Sequence, residues 1–164
     1  MGLDIQQITP QLGTYTYINS GSQLVSSGVE TLLENDGFAG QNFPLEGLTE
    51  IFNTSTFLVG PLDSVLSFGD IVEVGLAFNV TTTSPNQLVE IRSKVAIGSP
   101  SESTTELFNA TFKNVGAQPF TTFFPGDGQT ADQLNFPSAF YVFTDDTLTI
   151  SMSYMFFKVT KRFL

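Results

Sequence analysis

The stretch IVEVGLAFNVTTTSPNQLVEIRSKVAI, residues 71–97, decides the fold class. In its first part Val72, Val74, Leu76, Phe78 and Val80 are apolar, and the positions between them include Glu73, Gly75 and Asn79. In its last part Val89, Ile91, Val95 and Ile97 alternate with Glu90, Arg92, Lys94 and Ala96. A period of two puts one face of an extended strand in a core and the other in water. A helix would scatter the same side chains around its axis. Thr81-Thr82-Thr83-Ser84-Pro85-Asn86 is turn-forming. It predicts that Ile71–Val80 and Leu88–Ile97 pair as adjacent antiparallel strands, even residues of the first and odd residues of the second facing one core.

Working outward, the same punctuation recurs. Downstream, Leu107 to Phe112 turns Phe108, Ala110 and Phe112 to one side, after a loop from Ser99 to Thr105. Gln118 to Phe124 and Phe140 to Phe143 read as further short strands. Pro125-Gly126-Asp127-Gly128 and Asp145-Asp146 read as turns. Leu148 to Val159 closes the pattern: Leu148, Ile150, Met152 and Tyr154 alternate with Thr149, Ser151 and Ser153. Tyr154, Met155, Phe156 and Phe157 are then all apolar, so both faces are covered there. Either this is a central strand, or one face meets another subunit. Upstream, Gly28 to Leu33 is a short strand ended by Asn35-Asp36-Gly37, and Ile51 to Leu58 is extended. Leu62 to Phe68 fits one helical turn or another strand. Residues 1–27 are polar, with Tyr15 and Tyr17 alternating with Thr14 and Thr16 as in one short strand, and are expected to form an N-terminal arm that pairs with the body or reaches onto a neighbour, ahead of a domain over 28–164. Many short strands without a long helix predict an all-β antiparallel sandwich of jelly-roll type.

Composition narrows the chemistry. The 164 residues include 17 Phe but no Cys, His or Trp. There is no proton shuttle at neutral pH and no thiolate nucleophile, disulfide or soft-metal site. No Gly-x-Ser-x-Gly elbow, phosphate loop or dinucleotide fingerprint occurs. No catalysis and no cofactor are expected. The remaining enzyme class, a carboxylate pair acting on a polysaccharide, would draw first on Asp127, Asp145 and Asp146. Those residues, with Glu34 and Asp36, also sit in oxygen-rich turns of the kind that hold Ca²⁺. They lack EF-hand spacing, and turn chemistry alone accounts for them, so no metal is expected. The Phe residues fall at strand spacing and belong to the core.

Charge is uneven. Residues 1–91 hold ten acids and no base, while residues 92–164 hold six of each sign, for a net −10. This balance argues against nucleic acid and against an anionic membrane surface as partners. It suits solubility, or docking of the acidic part on a basic protein surface. No secretion signal or membrane-spanning run is expected, so Asn53-Thr54-Ser55, Asn79-Val80-Thr81 and Asn109-Ala110-Thr111 read as chance sequons.

A set of ordered short motifs resembles those of small β-rich virion proteins of tailed bacteriophages. Leu33 with Asn35-Asp36-Gly37 is similar to their "L-x-N-D-G" turn, and Phe52-Asn53-Thr54-Ser55-Thr56-Phe57 to a "W-D-T-x-T-N-x-F" segment. Leu66-Ser67-Phe68-Gly69-Asp70-Ile71-Val72 resembles "L-x-L-G-D-x-V". Asn79 to Thr83 with Asn86 to Ile91 resembles their "V-T-T-x-x-x-N-Q-E-V" hairpin, and Asp145-Asp146 their "S-D-D" turn. The likeness covers residues 28–159, and the chain departs from it in having no Trp near Phe52 or Tyr154. It implies a trimeric jelly roll of the tumour-necrosis-factor or C1q type, assembled in the host cytoplasm and located in the virion. On that basis Tyr154, Met155, Phe156 and Phe157 are expected at a homotrimer interface. Tyr15 and Tyr17 are expected on an arm docking on a major capsid protein, as in a decoration or cement protein. The alternative is a receptor-binding or appendage module attached to a fibre or tail protein.

Overall fold

The computed structural model describes residues 11–18, 21–126 and 129–162. In chain order its strands are β1 (Gln11–Tyr17), β2 (Gln23–Val25), β3 (Thr31–Leu32), β4 (Phe38–Asn42), β5 (Phe52–Asn53) and β6 (Leu58–Val59). They continue with β7 (Ile71–Thr82), β8 (Gln87–Val95), β9 (Ser103–Phe112), β10 (Gly116–Phe124), β11 (Ala139–Thr144) and β12 (Leu148–Lys161). A single turn of helix, α1 (Ala131–Asn135), opens on Thr130, whose side chain caps the Gln133 N–H while Gln133 caps back. That Thr-x-x-Gln capping box was present in the sequence, but five residues are too few to show helical periodicity.

Two antiparallel sheets face each other. The larger runs β10-β7-β12-β1-β4, with β2 also on β12, and the smaller runs β3-β11-β8-β9. The expected faces hold from Val74 to Ile91: Val74, Leu76, Phe78 and Val80 are buried, and so are Val89 and Ile91; at the end of the stretch Ala96 is buried and Ile97 only partly so, the reverse of the expected phase. The expected pairing is not observed. β7 lies between β10 and β12, whereas β8 lies between β11 and β9 in the other sheet. The connection from Thr83 to Asn86 crosses the sandwich instead of folding a hairpin. Two strands whose apolar residues face one core satisfy the same alternation whether they lie side by side or on opposite walls.

Aromatic side chains fill the interior in two clusters. Phe78 meets Phe108 and Phe120 edge-on, with centroids 5.9 and 4.2 Å away, and Phe108 stacks on Phe120 at 4.5 Å. On the other side of the core, Tyr17 meets Phe52 and Phe157 edge-on at 5.4 and 5.8 Å. Other differences from the sequence expectation are local. The strand expected from Gly28 shortens to Thr31–Leu32, and the loop expected through Thr105 is already strand from Ser103. Ile51 to Leu58 splits into the small β5–β6 hairpin, and residues 63–65 form a turn.

Candidate interaction surface

Of the arm expected over residues 1–27, the part from Gln11 onward pairs with the body. β1 is inserted between β12 and β4, and β2 continues along the same flank of β12. Tyr15 and Tyr17 are fully buried. The Tyr15 hydroxyl donates to the Leu48 carbonyl at 2.9 Å and accepts the Leu45 N–H at 3.2 Å. The Tyr17 hydroxyl accepts the N–H groups of Ile51 and Phe52 at 3.1 and 2.9 Å. Burial raises both phenol pKa values, so the rings stay neutral donors and acceptors. These tyrosines hold the 45–52 loop to the core and cannot be the docking residues expected of them. Residues 1–10 of the expected arm lie outside the described residues.

The four residues expected at an interface divide by face. Met155 and Phe157 are fully buried in the core, which corrects their expected place at an interface. Tyr154 and Phe156 point the other way, out of the larger sheet. The reason is a register shift between Ser151 and Tyr154. Before it Leu148, Ile150 and Met152 point inward; after it Met155, Phe157 and Val159 do. One irregularity of this kind reverses every later side chain. The period-two pattern placed Tyr154 with Met152, and the bulge puts it on the opposite face, 40% exposed.

On that outer face Gly75 lies between two rings. It is paired with Phe156 of β12 on one side and Phe123 of β10 on the other. A Cβ at Gly75 would sit 3.3 Å from Phe156 Cδ1 and 3.6 Å from Phe123 Cδ2. The two rings therefore cover the bare glycine backbone, a known way to protect a glycine inside a sheet. The next pairing row is Tyr154–Ala77–Thr121, and beyond Phe156 lies Thr16. Phe123 is 53% exposed. An ion pair between Lys158 and Glu73, beside Thr14, borders this neutral patch. Phe123 and Gly75 were not among the expected site residues. Their signal was the intervening positions of β7, where Gly75 and Ala77 are too small and apolar for an ordinary wet face.

The outer face of the smaller sheet has the opposite character. Glu30 pairs with Lys94 and with Arg92, the latter at 3.4 Å, and Arg92 also pairs with Glu90. Arg92 lies 4.9 Å from the Phe143 centroid and Lys94 lies 4.5 Å from that of Tyr141. Burial pushes the Glu30 carboxyl up, but Lys94 and Arg92 together outweigh it and hold the group below its ordinary value. A carboxyl depressed in the folded state stabilises above its unfolded pKa and loses that contribution as pH falls through the folded one. Glu30→Gln should therefore lower Tm at pH 7, and the difference from wild type should shrink as pH falls from there through the depressed folded Glu30 value. Thermal melts of both proteins across that range check this; a gap that stays constant with pH would contradict it.

The turn carboxylates act on backbone donors. Asp145 accepts the Leu88 N–H at 2.8 Å and Asp146 the Thr147 N–H at 2.7 Å. The Ser84 hydroxyl and that N–H hold the Asp146 carboxyl below its usual range. Asn35 is buried and its Oδ1 accepts the Gly37 N–H at 3.2 Å, closing the expected turn between Glu34 and Asp36. Asp127 lies outside the described residues. Among the described residues no three potential metal-ligating side chains converge, and no helix is long and apolar enough to cross a membrane.

No family model matches the sequence, and no curated protein matches it significantly. The fold is similar to a solved structure of Eiger TNF from S. frugiperda, with 10% identity and a TM-score of 0.51 over 93% of this chain and 92% of that one. Lower similarity extends to a structure of infectious bursal disease virus, Gx strain, with 10% identity and a TM-score of 0.41. That match takes in 100% of this chain but only 41% of the viral one. The PRD1 vertex protein P5 matches at 10% identity and a TM-score of 0.39, over 95% and 74% of the two chains. The likeness to Eiger shows the fold alone, a TNF-like jelly roll; the two viral structures add no argument to it.

Proposed function

We propose that this protein is a non-catalytic structural subunit that forms a homotrimer through the outer face of its larger sheet and decorates the outer shell of a virion. The observation that carries the assembly is the neutral aromatic face around Gly75: Phe156, Phe123 and Tyr154 lie together on one sheet of a TNF-like jelly roll. Obligate interfaces are more apolar than ordinary surface, and a contiguous exposed aromatic patch on a soluble protein marks a contact. The smaller sheet, by contrast, spends its charges on one another. The virion role is supported by the ordered phage-type motifs from Leu33 to Asp146. In this role the acidic first part of the chain meets basic patches on the shell protein, and residues 1–10, not Tyr15 and Tyr17, supply the docking segment.

Light scattering at micromolar concentration should give three times the chain mass. Phe156→Glu should give a monomer that keeps its β-type circular dichroism, because that side chain points out of the core. A monomeric wild-type protein removes the trimer. Purified trimers should bind undecorated capsids, and deleting residues 1–10 should weaken that binding. Adsorption to host cells with no capsid binding would favour the receptor-binding role instead.

A further inference from the structure

The inner face of the smaller sheet changes character toward the end where β7 begins. Val89 and Ile91 of β8 point into the core, but the next inward position is Ser93. Its neighbours across the sheet are Phe140 on β11 and Thr105 on β9. Ser103, opposite Val95, extends the run of hydroxyls. The facing wall carries Val72 and Val74, and between the walls is a cleft of about 320 Å³. A sandwich core is normally closed here by branched apolar side chains. Ser93 is half-buried, whereas Ser103 and Thr105 are exposed, so these hydroxyls line the cleft on its open side. None of the described lining residues is charged.

We propose that this cleft binds a small, uncharged amphipathic molecule. Its apolar body lies against Val72, Val74 and Phe140, and a hydroxyl or amide head bonds to Ser93 and Thr105. The chemistry of the walls selects the class. Apolar side chains supply burial, and a few convergent polar groups supply orientation, as in small-molecule sites generally. With no basic residue in the lining and a net charge of −10, an anionic head is disfavoured. No described lining residue is a carboxylate, so a cationic head finds no partner among them. At roughly 30 Å³ per non-hydrogen atom the volume holds about ten such atoms.

The probe is 1-octanol, titrated into the isotope-labelled full chain and followed by NMR, with octanoate as its charged counterpart. Saturable shifts centred on Val72, Val74, Ser93 and Phe140 are expected, with octanoate binding at least tenfold more weakly. Ser93→Phe should fill the cleft and weaken octanol binding at least tenfold while Tm is held or raised. If Ser93→Phe does not fold, Thr105→Phe on the edge strand β9 serves the same purpose. The proposal is overturned by non-saturable binding, by shifts centred on the outer face at Phe123 and Phe156, by equal affinity for octanoate, or by undiminished binding in a folded cleft-filling variant.

Discussion

Replacing Phe78 with alanine should lower the free energy of unfolding by about 3–5 kcal/mol. The side chain is 1% exposed and belongs to β7 in the larger sheet. Its ring contacts Phe120 from the same sheet and Phe108 from the opposite one. Truncation removes burial, both edge-to-face contacts and the inter-sheet bridge, and rings held by strands on both walls cannot collapse into the gap. For a domain whose net stability is typically about 5–15 kcal/mol, such a loss brings it close to unfolding at ambient temperature. Urea denaturation gives the number. Phe123→Ala is the internal comparison. Its ring is 53% exposed on the outer face, so its loss should cost the isolated subunit under about 1 kcal/mol. A Phe78→Ala cost as small as that of Phe123→Ala would mean that the two sheets do not close on each other as described.

The second large effect is expected at Gln87, the first residue of β8 and 1% exposed. Its Nε2 donates to the Thr144 hydroxyl at 2.9 Å and to the carbonyls of Asp146 and Thr147 at 2.7 and 3.1 Å. Its Oε1 accepts the Thr83 N–H at 3.0 Å. One side chain thus ties the connection that crosses between the sheets to the turn before β12. Gln87→Leu keeps the volume but removes these bonds; the Thr144 and Thr83 hydroxyls still reach the Asp146 and Thr147 carbonyls, so the loss is that of the Gln87 bonds and of the acceptor for the Thr83 N–H, each worth roughly 0.5–1.5 kcal/mol. A total of about 2 kcal/mol is the expected result. Gln87→Glu should be worse at neutral pH, because a carboxylate then faces two carbonyl oxygens, and should partly recover in acid. A Gln87→Leu protein within about 0.5 kcal/mol of wild type would show that the crossing is held by other means.

The two predictions differ in how far they were visible beforehand. The inward direction of Phe78 was visible in its own strand, because alternation is local and each residue's neighbours two positions away report its face. Gln87 looked like one more polar residue at a turn. Its role depends on Thr144, Asp146 and Thr147, more than fifty residues along the chain. The face around Gly75 was half visible in the same sense. The apolar run from Tyr154 to Phe157 marked the place, and the bulge shows in β12 as a switch from even apolar positions at Leu148, Ile150 and Met152 to odd ones at Phe157 and Val159; reading the whole run as one phase hid which two residues face out.

What the amino-acid sequence determined by itself was the class of structure and the absence of common catalytic groups. Period-two patterning is a property of single segments, and the class it predicted is the one observed: an antiparallel sandwich with the inward faces of β7 and β8 as read. What only the tertiary structure decided was adjacency. It placed β7 and β8 on opposite walls, drew Tyr15 and Tyr17 into the core as anchors for a distant loop, reversed the end of β12, and left Gly75 between Phe156 and Phe123. The physical reason is common to all four. Burial energy specifies that an apolar face must be covered, but it is non-directional, so the covering partner is chosen by the packing of the whole chain.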